Sequence, residues 1–400
     1  MIEALYDLDN LNKSLDKVSS VSGWKERTQK YKENRLFNII DLQERLENGT
    51  WRPKEPWKFI INERGKTRVI ESYSMEDRIV QRCLVQYVLL PVIRPKLIYD
   101  NDASLTERGT SHFRKRLTYK LKQYAKENGN NGYVLLGDFS KFYDNIQHDK
   151  LIECFRELGI DEPTLQFIKM ILDAHKTDVS YMTDEEYANC MDIPFNSVEY
   201  ELKVDKSKLN GTKLMAKGTG IGSHLAQLAG IALPYRLDNY IKIVKGVKIY
   251  GRFNDDFYVV HESKAFLKDL LGDIERICKK LGIILNKKKT QIVPLSHKFT
   301  ILQTQYFIAD ERKVIEIPSK KTYSRERKRL RGLHRCYLRN EISFVKIQNM
   351  YLSWRESMIQ RKGSYRSIQS IDAYFLNLFG KPYDSYIEKP NVNRHEIFSW

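Results

Sequence analysis

Two adjacent aspartates, Asp255 and Asp256, sit in the middle of an aromatic and β-branched run, Lys248-Ile249-Tyr250-Gly251-Arg252-Phe253-Asn254-Asp255-Asp256-Phe257-Tyr258-Val259-Val260. Asn254-Asp255 tolerates tight-turn backbone angles, so the stretch reads as a β-hairpin with neighbouring carboxylates at its tip. Such carboxylates repel each other unless water or a cation screens them. Taken alone, the tip is most simply a solvated turn. A third aspartate changes that reading, because Asp138 ends another apolar strand, Tyr133-Val134-Leu135-Leu136-Gly137, far upstream. If the strands pair, three carboxylates meet at one sheet edge. Oxygen-only ligands of that charge suit hard divalent cations, Mg²⁺ above all and Mn²⁺ as a substitute. Two such ions suit in-line phosphoryl transfer, one activating a hydroxyl and the other holding a triphosphate and its departing pyrophosphate.

The elements that must position these groups follow from patterning. Residues 1–50 read as a helical extension, with Trp24, Leu36, Ile39 and Leu42 as buried points. Trp57–Asn62 and Lys66–Ile70 look like strands joined by Glu63-Arg64-Gly65, and Ser74 opens a helix running through Leu84, Val88 and Leu89 until Pro91 and Pro95 end it. A basic helix, Phe113 to Lys126, precedes the Asp138 strand, and another helix starts at Asp149. Residues 176–212 form an irregular, partly acidic insert, read as an excursion on the rim. A glycine-rich turn, Lys217-Gly218-Thr219-Gly220-Ile221-Gly222, feeds a helix from Ser223 to about Ile243. After the hairpin come a helix from Ala265 to Leu281 and a Lys-rich turn, Leu285-Asn286-Lys287-Lys288-Lys289-Thr290. A small antiparallel sheet backed by helices makes the fold class α+β.

The chain of 400 residues is 42% hydrophobic and 30% charged, a globular composition with room for several subdomains. Its formal charge of +17 favours a polyanionic partner. No apolar run is long enough to span a bilayer and no signal segment opens the chain, so nucleic acid ranks above membrane. Five scattered cysteines at no zinc-ligand spacing read as buried small hydrophobes in a reducing cytoplasm. Past Pro318, cations from Lys320 to Arg339 face only Glu326. Arg325, Lys328, Arg329 and Arg335 of this tract are expected to lie along a phosphate backbone, with Trp354 and Tyr365 in the core beneath.

In this order the pieces resemble bacterial reverse transcriptases, the relatives of group II intron, retron, diversity-generating and phage-defence enzymes. Gly137-Asp138-Phe139-Ser140-Lys141-Phe142-Tyr143-Asp144-Asn145-Ile146 is similar to motif A. Gly220-Ile221-Gly222 with Ala226-Gln227 is similar to motif B, and Phe253-Asn254-Asp255-Asp256 to motif C. The Lys-rich turn resembles motif D, Ile301-Leu302-Gln303 the primer grip, and Lys66-Thr67-Arg68 with Asp77-Arg78-Ile79-Val80-Gln81 the fingers motif. Phe253 stands where Tyr is usual, Gln303 where Gly is usual, and Ala226 where Ser is usual.

The resemblance implies a right-hand polymerase. Residues 51–132 would be fingers, 133–310 palm (with 145–235 partly fingers) and 311–400 a basic helical thumb and C-terminal region. Asp138, Asp255 and Asp256, with the Phe139 carbonyl, would hold two Mg²⁺ ions. Lys66 and Arg68 would meet the triphosphate, and Tyr143 would exclude a 2′-hydroxyl by clash. Gln227 and Lys289 would face the nucleotide. Gly220, Gly222, Leu302 and Gln303 would touch template or primer. The expected partners are an RNA template, especially a structured noncoding RNA, its DNA product, dNTPs, and a partner protein or second copy. An antiphage or accessory-element role in the cytoplasm is implied, and no endonuclease domain is expected after the thumb. Rival readings are a DNA-templated or RNA-synthesising polymerase and a silent nucleic-acid scaffold.

Overall fold

The computed structural model describes residues 1–63, 65–310 and 312–385. Arg64 of the expected turn, and the end of the expected C-terminal region, lie outside them. The chain divides into two units, Met1–Lys120 with Asn131–Pro294, and Leu121–Asn130 with the chain from Leu295 on. Among the described residues no helix is long and apolar enough to cross a membrane.

The first unit begins with helices Leu8–Ser22 and Arg35–Glu47. Ile39, Leu42 and Leu46 are buried at helical spacing, whereas Trp24 and Leu36 are 78% and 75% exposed. The expected burial of those two is therefore corrected: the inward stripe of Arg35–Glu47 is centred on Leu42, and Leu36 falls outside it. Strands β1 (Trp57–Glu63) and β2 (Lys66–Ser72) pair as an antiparallel hairpin. Helix Met75–Cys83, capped by Ser74, runs into a π-helical stretch, Leu84–Leu89. Pro91 does not end the helical path: it stands where the π-helical stretch passes into Leu90–Ile93, and supplies no N–H to the carbonyls of the preceding turn.

Strand β3 (Tyr133–Asp138) is followed by the single turn Phe142–Asn145 and helix His148–Glu157. The expected rim excursion has its own organisation. Strands β4 (Thr177–Asp178) and β5 (Leu214–Met215) close its neck, and Val179, Cys190 and Met215 form a small core with Met182, Tyr187, Met191 and Phe195. The helix expected to reach Ile243 is broken at Pro234 into His224–Ala232, Tyr235–Asn239 and a π-helical Tyr240–Val244. Strands β6 (Ile249–Phe253), β7 (Asp256–His261) and β8 (Gln291–Pro294) complete a four-stranded antiparallel sheet in the order β6-β7-β3-β8. Val134, Leu135, Phe257 and Val259 are buried in it, with Lys264–Lys280 among the surrounding helices.

In the second unit, strands β9 (Phe299–Ile301), β10 (Thr304–Ile308) and β11 (Val314–Pro318) form an antiparallel meander. Helices Lys320–Leu338, Phe344–Ile359 and Tyr365–Phe379 follow. Leu330, Ile347, Tyr351, Ile371 and Phe375 are buried among them, and Trp354 packs on that cluster. Tyr365 is 72% exposed, so its expected core place is corrected.

Candidate active site

The register of the central sheet decides where the carboxylates go. Asp138 is the cross-strand partner of Asp256, and Phe253 pairs with Asp256 on the other side. Asn254 and Asp255 make the two-residue tip, with Asn254 in the left-handed region at φ 53°. The Phe139 N–H donates to the Asp255 carbonyl at 3.0 Å. Ser140 N–H donates to Ile284 O, and Asn286 N–H to Asp138 O, on the opposite edge. In an antiparallel pair those flanking bonds turn the N–H and C=O of Phe139 together towards Asp255.

Asp138 is buried, and its carboxylate accepts from Lys289 Nζ at 2.5 Å and from Asn286 Nδ2 at 3.0 Å. Burial, then repulsion from Asp138, raises the Asp255 pKa. Burial, then Asp255 and Asp138, pushes Asp256 up to about 7. The lysines Lys289 and Lys66 oppose both shifts. Crowded, partly desolvated carboxylates of this kind are the donor chemistry a hard cation relieves. Among the described residues no group of three or more His, Cys, Asp or Glu side chains is placed to hold a metal ion, and the Asp138 carboxylate is taken up by Lys289 and Asn286.

Lys66 and Arg68 point to one face of β2, and Arg68 is paired with Glu63 across the hairpin at 2.6 Å. The Tyr143 ring packs on Phe142, and its hydroxyl lies where a Cβ on Gly230 would be 2.7 Å away, with Asn254 Oδ1 beside it. Gly230 thus leaves the ring its place next to the hairpin tip. Gln227, one turn earlier, is exposed and lines a separate polar recess of about 60 Å³ with Arg82, Ser104, Thr106 and His224. Lys289, expected at the nucleotide, is held on Asp138.

Gly220 and Gly222 have positive φ, and the neighbour that requires glycine is the end of β2. A Cβ on Gly220 would stand 1.7 Å from the Glu71 carboxylate, and one on Gly222 2.3 Å from the Glu71 carbonyl oxygen. Glu71 N–H donates to Ile221 O at 2.9 Å, and its side chain accepts from Tyr73 Oη at 2.5 Å and pairs with His175 at 3.2 Å.

Arg252 is the residue that pattern reading left without a role. It is 0% exposed, and each of its five N–H groups is used. It holds Asp238 through Nε and Nη2, and donates to the carbonyls of Gly230, Ile231 and Asn254 at 2.9 Å each. Tyr250 Oη donates to the same aspartate. One side chain therefore ties the hairpin tip to the helix that faces Tyr143. A full charge within an otherwise apolar strand was the available signal.

In the second unit, Leu302 and Gln303 form the β9–β10 turn, both in the left-handed region at φ 44° and 64°. Neither residue type favours that geometry, and such outliers concentrate at functional sites. Along Lys320–Leu338, the exposed stripe is Lys321, Arg325, Lys328, Arg331 and Arg335. Arg329, half-buried, pairs with the buried Glu326 at 3.2 Å and donates to the Met350 carbonyl, so it stands apart from that stripe.

The family model for reverse transcriptase (RNA-dependent DNA polymerase) matches residues 53–305. The chain belongs to the reverse transcriptases. The matched segment contains β1–β9 and all three aspartates. No curated protein sequence matches it. Among solved structures it is similar to telomerase from Candida albicans in complex with a TWJ fragment of telomeric RNA, at 14% identity and a TM-score of 0.45. That match covers 82% of this chain and 57% of the telomerase chain, so this chain spans little more than half the length of that neighbour.

Proposed function

We propose that this reverse transcriptase extends a primer on an RNA template, adding deoxynucleotides at the Asp138–Asp255–Asp256 edge. The observation that carries the reading is the Asp138–Asp256 cross-strand pairing within the family-matched segment. Asp138, Asp255, Asp256 and the Phe139 carbonyl would hold two Mg²⁺ ions. When bound, these supply charge stabilisation for the attacking and leaving oxygens of phosphoryl transfer. Lys66 and Arg68 bind the triphosphate, the guanidinium exchanging Glu63 for phosphate oxygens. Tyr143 fills the space a 2′-hydroxyl would need, selecting deoxynucleotides by clash. Leu302-Gln303 contacts the primer, and the exposed stripe of the Lys320–Leu338 helix neutralises phosphates without reading sequence. Fingers, palm and thumb are assigned as 51–132, 133–310 and from 311.

The test is Mg²⁺-dependent dNTP incorporation on an RNA template. Asp255→Ala, and Asp255→Ala with Asp256→Ala, abolish it while RNA binding survives; full incorporation by either purified variant refutes the site. A wild type that prefers rNTPs, or copies only DNA, points to the rival polymerase readings.

For the biological setting, we infer a member of the bacterial branch acting with a structured noncoding RNA in defence or an accessory element. The +17 charge and the single-signed stripe support an RNA partner. Sequencing the nucleic acid that co-purifies with the chain tests this: bulk messenger or ribosomal RNA, without one enriched structured species, overturns it.

A further inference from the structure

The 177–215 insert is fastened to the residues around Tyr143 at four points. Asp144 accepts from Ser197 N–H at 3.1 Å and from Ser197 Oγ at 2.9 Å. The buried Asn145 makes a reciprocal pair with the Phe195 backbone, Nδ2 donating to its carbonyl at 3.1 Å and Oδ1 accepting its N–H at 2.8 Å. Gln147 Nε2 donates to Met191 O at 2.9 Å. From the far side, the buried Lys217 donates to Ile193 O at 3.0 Å and Cys190 O at 3.3 Å.

These clamps surround an element that cannot hold itself. Phe142–Asn145 is one helical turn, entered through Lys141 at φ 44°, and a single turn of four residues lies far below the length at which a helix is stable alone. The glycine turn steadies its backbone, Thr219 N–H donating to Tyr143 O and Gly218 N–H to Ile146 O, while His148 Nε2 donates to Gly218 O at 2.7 Å. On the other side, Asp144 and Asn145 of the turn, and Gln147 just after it, bond to segment 190–197, Asn145 Nδ2 also donating to Lys141 O at 3.0 Å. Bonds with no helical or sheet ladder behind them position a group only if their partners are themselves fixed. The insert's own core, Val179, Cys190 and Met215, supplies that fixity.

We propose that the insert is the stay of the sugar gate, its 190–197 segment clasped by Asp144, Asn145, Gln147 and Lys217 so that the Tyr143 ring keeps the position that rejects a 2′-hydroxyl. Asn145 and Ser197 are then positioning residues for nucleotide choice, neither touching the substrate. The inference rests on the Tyr143 reading proposed above, and the experiment separates the two.

Relative kcat/KM for rNTP and dNTP is measured for wild type, Tyr143→Ala, Asn145→Ala, Ser197→Ala and Ser197→Thr, each checked for folding by circular dichroism. Tyr143→Ala must raise the rNTP-to-dNTP ratio; an unchanged ratio overturns the gate itself, and with it the stay. Given a working gate, Asn145→Ala raises the ratio about tenfold and Ser197→Ala about threefold, as expected for losing paired and single hydrogen bonds. The change falls mainly on rNTP KM, with dNTP kcat for Ser197→Ala within about twofold of wild type. Ser197→Thr, which keeps the hydroxyl, retains wild-type selectivity. If Asn145→Ala does not fold, Ser197→Ala decides alone. Wild-type ratios in folded Asn145→Ala and Ser197→Ala, beside a relaxed Tyr143→Ala, overturn the inference.

Discussion

Replacing Arg252 by methionine tests the strut beneath the hairpin tip. The substitution keeps much of the apolar stem and removes five donors at once. Among the described residues Asp238, 1% exposed, keeps Tyr250 as a close donor, the Gly230 and Asn254 carbonyls lose their Arg252 bonds, and the Ile231 carbonyl keeps Asn101 Nδ2 at 3.1 Å. Breaking a buried ion pair by removing one partner costs about 3–5 kcal/mol, because the surviving charge stays buried without compensation. Set against a total stability of about 5–15 kcal/mol, that is a large fraction. With an m-value of about 3 kcal/mol/M, a loss of ~4 kcal/mol moves a urea midpoint down by about 1.3 M. Removing the orphaned charge as well, in Arg252→Met with Asp238→Asn, recovers about half of that stability. It does not recover incorporation, because the Asn254 carbonyl beside Asp255 is still unpinned. The assay is urea unfolding followed by tryptophan fluorescence, with dNTP incorporation measured in parallel. A single variant within 1 kcal/mol of wild type, or a double variant as active as wild type, refutes the strut.

Three other outcomes follow from the same geometry. Gly220→Ala lowers the melting temperature and Glu71→Ala partly rescues it, since the obstacle is a side chain; Gly222→Ala is not rescued, since its obstacle is the Glu71 backbone carbonyl. In RNA–DNA duplex binding, Arg325→Gln with Lys328→Gln and Arg331→Gln reduces the slope of log K against log salt by about two to three, whereas Arg329→Gln leaves the slope unchanged and costs stability. Burial, helped by Arg82 and Arg78, lowers the His224 pKa to about 4, so the unfolded chain takes up that proton first as pH falls. Its contribution is complete above about pH 6.5 and is lost on acidification towards pH 4; His224→Gln flattens that part of the stability profile, and an unaltered profile contradicts the assignment.

Much of the site was legible because strand periodicity is strict. An apolar run ending in Asp138 and a hairpin ending in Asp255-Asp256 can bury their faces together in few registers, and the observed one pairs Asp138 with Asp256. Local patterning said less where the deciding partner is distant in sequence. Nothing next to Gly220 or Gly222 announces Glu71, and nothing next to Arg252 announces that Asp238 will meet it. The phase of a charged helix was equally hidden: the burial of Glu326 and Leu330 leaves Arg329 half-buried against Glu326 and Arg331 exposed, which charge counting cannot tell apart. Trp24 and Leu36 stay outside because Leu11, Leu15 and Leu42 already fill the core of the helical extension, which residue type alone does not reveal.

The two-strand neck of the insert has a practical consequence. Its clasped portion runs to Ser197, while Asp205–Lys208 is exposed, with Ser207 bonded to Asp205 and Lys206 paired with Glu201. Extra sequence spliced in at Ser207 would lengthen an exposed bend ahead of Gly211, whose N–H donates to Asp178 of the neck. That makes this bend a natural attachment point for a fluorophore or affinity handle, and the 190–197 and 211–215 stretches the places to leave untouched.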